Sequence, residues 1–187
     1  MNQAVQKEEK ELLPEDVISI RMMRVQRSHD WKNLILCLVI TGIVIYLLVG
    51  VIFGVAVISG DSMYPTYQDG DVVLFYRLAK NYQTSDIVLV QEEGATTYIK
   101  RIIGMPGEEV DIEEGAGTVL INALQIEESY AVGRTLKKPE IKYPVDLKDD
   151  EYFILGDNRE DSMDSRNFGA ITKKQIKGKE LAVLRMS

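Results

Sequence analysis

Hydrophobic and polar positions change their period once along the chain. From Leu34 to Ile58 no residue is charged: LILCLVITGIVIYLLVGVIFGVAVI. As one helix this run reaches roughly 37 Å, against a hydrocarbon core of about 30 Å, so it spans a bilayer with some tilt. The apolar core of a cleavable leader runs only about 7–15 residues. The pattern therefore predicts an uncleaved membrane anchor, with a buried helix of a soluble protein as the weaker alternative. Beyond the run the period falls to two and β-formers dominate. DVVLFYRL, DIVLVQE, TTYIKRIIG, GTVLINALQI and EYFILGD each read as a strand or hairpin. Turn signals separate them at Asp69-Gly70-Asp71, Met105-Pro106-Gly107, Gly115-Ala116-Gly117 and Gly156-Asp157-Asn158, and Asn122-Ala123 is placed to turn a hairpin. TKKQIKGKELAVLRM closes the chain with a helical turn and a last strand.

This pattern predicts a mostly β fold preceded by one N-terminal transmembrane helix. Residues 1–33 form a mixed-charge tail, in which LLPEDVISIRMMRV reads either as an amphipathic helix after Pro14 or as a solvated segment. Residues 34–58 are the anchor and 59–187 a β domain large enough for one core. Within it, about 108–150 form a minor lobe, loop-rich from residue 127 and carrying Pro139 and Pro144. Arg21, Arg24, Arg27 and Lys32 precede the anchor, and no Lys or Arg follows it until Arg77. The basic flank predicts a cytoplasmic N-terminus and an extracytoplasmic β domain.

Charge and composition remove several kinds of chemistry. A formal net charge of -7 argues against a nucleic-acid surface. With one Cys and one His there is no zinc cluster, no internal disulfide and no metal site to expect. Cys37 lies inside the anchor, facing lipid or packed.

Ser62, in SGDSMYPT, follows directly after the anchor. A loop serine is ordinarily a turn or capping residue. As a nucleophile its hydroxyl needs a base. The one histidine, His29, lies across the membrane by the orientation above, so a Ser-His-Asp triad is excluded on that topology. A carboxylate or a lysine remains. Lysine ionises near 10.4 in water, and an apolar setting lowers that value. In TYIKRIIG a period of two puts Tyr98, Lys100 and Ile102 on one face and Ile99, Arg101 and Ile103 on the other. Lys100 is thus either a desolvated base or an edge-strand guard against aggregation. GDNREDSMDSR packs Asp157, Arg159, Asp161, Asp164 and Arg166 with Ser162 and Ser165 into one loop. Such a loop is either a solvated ion-pair surface or a brace that orients a buried group.

SGDSMYPT, KRIIGMPGE and GDNREDSMDSR together resemble the three signature boxes of type I signal peptidases, and SDIVLV resembles a fourth, structural box. The boxes follow an anchor in the family's order, and the resemblance covers most of residues 33–186. The short exterior part is similar to the compact Gram-positive form. The resemblance implies a signal-peptidase-like β domain and a membrane-anchored serine endopeptidase that cleaves secretory preproteins with no cofactor. It implies Ser62 as nucleophile, neutral Lys100 as general base, and an acyl-enzyme intermediate. It implies that the Ser62 backbone N–H serves the oxyanion hole and that Ser162 hydrogen-bonds the lysine. Asp157, Arg101, Asp164 and Arg166 would brace the site through ion pairs. Some relatives carry a hydroxyl residue two positions before the nucleophile as a second oxyanion donor; Gly60 stands there, and Ser59 is one position too early. Tyr67, Met105, Glu108 and Asp161 are smaller departures from the family pattern. The substrate would lie extended along sheet edges, with VAVIS and strand 97–103 as pocket walls for small residues.

Three rival readings stand beside this one. A self-cleaving Ser-Lys peptidase of the SOS-repressor type would use Ala116-Gly117 as its bond. A membrane-tethered β domain would bind peptides or cell wall, with Ser62 a mere turn residue. An inactive relative would have lost the dyad, yet Ser62, Lys100 and Ser162 are all present.

Overall fold

The computed structural model of the chain describes residues 14–92 and 97–185. The expected tail before Pro14 lies outside these residues. The chain divides into two compact units, one ending at Val49 and one beginning at Gly50.

The first unit is built on helix α1, Pro14–Ile52. Proline suits the first helical turn, because it lacks only an N–H that would have no intrahelical partner there. From Leu34 to Val51 the helix carries no charge and is exposed on all sides. Its stretch Trp31–Ile52 has 22 residues, with a mean hydropathy of 3.0 in its 18-residue apolar window, long and apolar enough to cross a bilayer.

The anchor boundary expected at Ile58 is corrected here. The helix stops at Ile52, and the end of the apolar run becomes strand β1, Phe53–Val57. Uniform apolarity does not distinguish a lipid-exposed helix from a sheet strand. Pairing does: Phe53 faces Tyr76 and Val57 faces Val72 in an antiparallel ladder. The helix–strand junction is held by Arg77 N–H donating to Ile52 O at 2.8 Å.

The remaining strands are β2 Val72–Tyr76, β3 Ile87–Gln91, β4 Thr97–Gly104, β5 Glu109–Glu113, β6 Thr118–Ile121, β7 Leu124–Gln125, β8 Val145–Asp146 and β9 Glu151–Leu155. The short helix α2, Ser165–Phe168, precedes β10 Ile171–Thr172, and a 3₁₀ turn at Lys173–Gln175 leads into β11 Ile176–Leu184. They form a seven-stranded sheet in the order β1-β2-β11-β3-β4-β9-β10 and a four-stranded sheet in the order β7-β6-β5-β8. The smaller sheet lies in the expected minor lobe. Its β6–β7 hairpin turns at Asn122 and Ala123, both in the left-handed region with φ 50 and 64. The sequence reading missed β5, whose carboxylates Glu109, Asp111 and Glu113 alternate with buried Val110 and Ile112. It also missed the short β8 and β10.

Strands β4 and β9 pair with each other, and their stretches Lys100–Gly104 and Tyr152–Leu155 are buried on both faces. Ile102 and Ile154 pack with Val88, Val90 and Ile176. Their neighbours Ile103, Phe153 and Leu155 point the other way and pack with Val110, Val119 and Leu147. A third cluster, Ile58, Met63, Tyr67, Val73, Phe75 and Ile87, lies under the segment that carries Ser62. Gly104 marks where the two sheets approach: a Cβ there would collide with Val110, Leu147 and Phe153.

Gly104→Ala should lower stability by about 1–3 kcal/mol, the usual cost of overpacking, read as a lower denaturant midpoint in detergent. An unchanged midpoint would contradict the close approach.

Candidate active site

Ser62 sits in the turn between β1 and β2. The ends of this connection are tied by Ile58 N–H to Asp71 O at 2.8 Å and Gly70 N–H to Ile58 O at 3.0 Å. The cis peptide Tyr64–Pro65 lies within it. Met63, next to the serine, is 1 % exposed and packs into the cluster below, which fixes the backbone that presents Ser62. Tyr67, where the family pattern favours an aliphatic residue, is equally buried there.

Lys100 lies on β4 opposite Val88 of β3. Its Nζ is 2.7 Å from Ser62 Oγ and donates to it. The lysine is only 2 % exposed. Burial lowers its pKa from 10.5 to about 8, although the carboxylates of Asp164, Asp157 and Asp161 pull the other way; Arg166 adds to the lowering. With the amine neutral, this same contact reverses direction, and the serine hydroxyl donates to nitrogen. Of the two sequence readings for Lys100, the exposed edge guard is therefore excluded.

The charged loop is a buried brace. Arg101 grips Asp157 with two bonds, Nε to Oδ1 at 2.8 Å and Nη2 to Oδ2 at 2.6 Å. Its Nη1 donates to Ser85 O at 2.9 Å, and the Thr66 hydroxyl donates to Asp157 Oδ2. Asp164 caps α2 by accepting from Arg166 N–H, receives the Arg166 guanidinium at 2.8 and 2.9 Å, and accepts from Gly156 N–H at 3.0 Å. The loop reaches the serine through its backbone, where Asn158 N–H donates to Ser62 O at 3.1 Å. Gly156 lets these pieces meet, since a Cβ would run into Ser162 and the Ser62 carbonyl.

Two expectations change at this point. Ser162 is brought beside Gly156, but its buried Oγ has no hydrogen-bond partner among the described residues, so the expected bond to Lys100 is not formed. The short contact of the lysine amine runs to Ser62 instead. At Gly60, φ is +84 and the N–H donates to Asp69 Oδ1 at 2.8 Å. That donor is already engaged, whereas the Ser62 N–H has no acceptor among the described residues.

A cleft of about 200 Å³ opens at the pair, walled by Ala56, Ile58, Leu89, Ile99 and Met63, with Ser59 and Tyr98 at its rim. Both stretches expected as walls, VAVIS and strand 97–103, contribute to it. Among the described residues, no three His, Cys, Asp or Glu side chains cluster to hold a metal. Thr66 and Ser85 lie inside the quoted boxes SGDSMYPT and SDIVLV, but sequence reasoning assigned neither a role.

The family model for signal peptidase, peptidase S26, matches residues 31–185. The chain belongs to this family. Signal peptidase I of Bacillus amyloliquefaciens is 34% identical over 160 residues, covering 80% of this chain and 83% of the relative. Signal peptidase I S of Bacillus subtilis strain 168 is 35% identical over 161 residues, covering 80% and 84%. A crystal structure of a signal peptidase I from Enterococcus faecalis superposes with a TM-score of 0.45 at 28% identity, covering 54% of this chain and 97% of that one. Family membership and the apolar stretch Trp31–Ile52 make the chain a membrane-anchored serine endopeptidase of the signal peptidase type.

Asp157→Asn should cost about 3–5 kcal/mol, because it leaves the buried Arg101 without its counter-charge. Chemical denaturation in detergent measures this, and a loss below 1 kcal/mol, about the worth of a surface pair, would contradict the buried brace.

Proposed function

We propose that Ser62 is the nucleophile and Lys100 its general base, and that the chain removes signal peptides from exported preproteins at the outer membrane face. The observation that carries this is the 2.7 Å contact between the serine hydroxyl and a buried lysine amine whose pKa is lowered to about 8.

The reaction balances without a cofactor. Neutral Lys100 takes the Ser62 proton as Oγ attacks the scissile carbonyl. The resulting ammonium returns that proton to the departing amine as the C–N bond breaks, leaving an acyl-serine. Lys100, neutral again, takes a proton from water as the water attacks the ester. The proton goes back to Ser62 Oγ when the acid product leaves. The Ser62 N–H, with no acceptor among the described residues, is the backbone donor available to the oxyanion. Gly60 adds no side-chain donor.

Strand pairing supports an extended substrate. β1 is the outer strand of its sheet, paired through β2. On β4, pairing with β9 begins only at Arg101, so the backbone of 97–100 is open on that side. A preprotein strand laid between these edges would place small side chains before the cut into the apolar cleft. We place the N-terminus in the cytoplasm, from Arg21, Arg24, Arg27 and Lys32 before the span. Ser62 then follows the span by ten residues in sequence, on the side where the cut site of an exported signal emerges.

Ser62→Ala and Lys100→Ala should each lower cleavage of a model preprotein in detergent by more than about a thousandfold, within the range set by losing the nucleophile or its base. Mass spectrometry of the products measures this, and near-normal turnover by either variant contradicts the dyad.

The acid limb has a defined sign. The ammonium is the inactive form, so kcat/KM should rise about tenfold per pH unit below the lysine pKa and level off above about 8. Substrate covering the cleft dries the amine further, so the limb of kcat should lie at lower pH than that of kcat/KM. A flat profile from pH 5 to 9 would contradict a lysine base.

A further inference from the structure

The segment between β7 and β8 reads in sequence as polar loop, yet part of it closes over the brace behind the dyad. Arg159, with its side chain 1 % exposed, is forked by Glu128: Nη2 donates to Oε1 at 2.6 Å and Nη1 to Oε2 at 2.8 Å. The same guanidinium donates to Thr135 Oγ1 at 2.6 Å and to Gly156 O at 2.9 Å. The Tyr130 hydroxyl donates to Glu128 Oε1 at 3.0 Å. Burial, then the Glu128 charge, raises the tyrosine pKa to about 12, so this donor stays protonated. The Tyr130 ring lies 4.0 Å from the Arg101 guanidinium carbon, on the arginine that grips Asp157. Backbone bonds join the same pieces: Val132 N–H donates to Asp157 O at 2.8 Å, and Arg159 N–H to Val132 O at 2.9 Å.

Glu128 and Tyr130 therefore touch both arginines that flank Asp157 and Asn158, and Asn158 N–H holds the Ser62 carbonyl. We infer that Glu128 and Tyr130 are positioning residues for the reaction: from the minor lobe they clamp the 156–159 segment and so keep Ser62 within reach of Lys100. This rests on the Ser62–Lys100 reading above. Neither residue belongs to the boxes that carried the family resemblance.

The physical case is one of shared parts. A lone exposed ion pair restrains little. Here a buried guanidinium makes four hydrogen bonds, and an aromatic ring lies over a second guanidinium that grips its carboxylate. Loosening Arg101 leaves Asp157 less neutralised. The charged groups acting on the Lys100 amine are Asp164, Asp157, Asp161 and Arg166, with the Tyr98 ring 5.7 Å away. A freer Asp157 favours the ammonium, so it moves the acid limb to higher pH.

The test compares full-length wild type, Tyr130→Leu, Tyr130→Phe and Ser62→Ala in detergent with one model preprotein, recording kcat, KM, the pH profile and the denaturation midpoint. Tyr130→Leu removes both the ring and the hydroxyl. It should lower kcat about tenfold, with KM within about twofold, and shift the acid limb upward. Tyr130→Phe keeps the ring on Arg101 and should hold kcat within about threefold of wild type. A purely structural role would lower the midpoint yet leave kcat per folded molecule and the acid limb unmoved, which would overturn the clamp. If Ser62→Ala is dead while Tyr130→Leu matches wild type, the clamp alone falls. If Ser62→Ala cleaves normally, the dyad and the clamp fall together.

Discussion

The Lys100 amine lies 2.7 Å from the Ser62 hydroxyl in a setting that leaves the residue 2 % exposed, and that dryness is the constraint on which the structure turns. A solvated lysine at neutral pH is an ammonium with no lone pair to accept a proton. Burial moves the balance toward the free amine, and here it outweighs three carboxylates that act in the opposite sense. The apolar layers around β4 therefore do chemical as well as structural work. Val88 faces Lys100 across the sheet, and Ile102 packs into the core two residues further on.

An amine buried near carboxylates stays neutral more readily when those carboxylates are answered by other cations. Asp157 belongs to Arg101 and Asp164 to Arg166, each through paired bonds. These cations offset part of the negative charge that acts on the lysine, and Arg166 itself lowers the lysine pKa. They also lock the loop whose Asn158 holds the serine backbone. On the proposed dyad, one set of contacts thus serves both the electrostatics of the base and the position of the nucleophile. The same logic explains Gly156, where the loop, Ser162 and the Ser62 carbonyl crowd too closely for any side chain.

Much of this was legible in the sequence, for physical reasons that also mark the limits. The alternation in TYIKRIIG gave Lys100 an apolar strand, and Asn122-Ala123 gave a hairpin that forms with both residues at positive φ. The apolar run after Ile52 misled, because hydropathy is blind to whether a segment's backbone bonds lie within a helix or across a sheet. β5 was missed because its outward carboxylates masked the buried Val110 and Ile112. Glu128, Tyr130 and Arg159 meet only through tertiary contacts between segments about 30 residues apart in sequence, for which no local period exists. Ser162 was placed beside the site by resemblance, yet its hydroxyl is unpaired, since a motif fixes residue identity and not the hydrogen bond made.

The most direct test of a dry, neutralisable lysine is its own titration. Carbon-13 NMR of lysine Cε in the full-length protein in detergent follows the amine itself, with Lys100→Ala assigning the resonance. The account predicts a midpoint near 8 for Lys100, well apart from the surface lysines. A midpoint at the ordinary lysine value near 10.4 would contradict it.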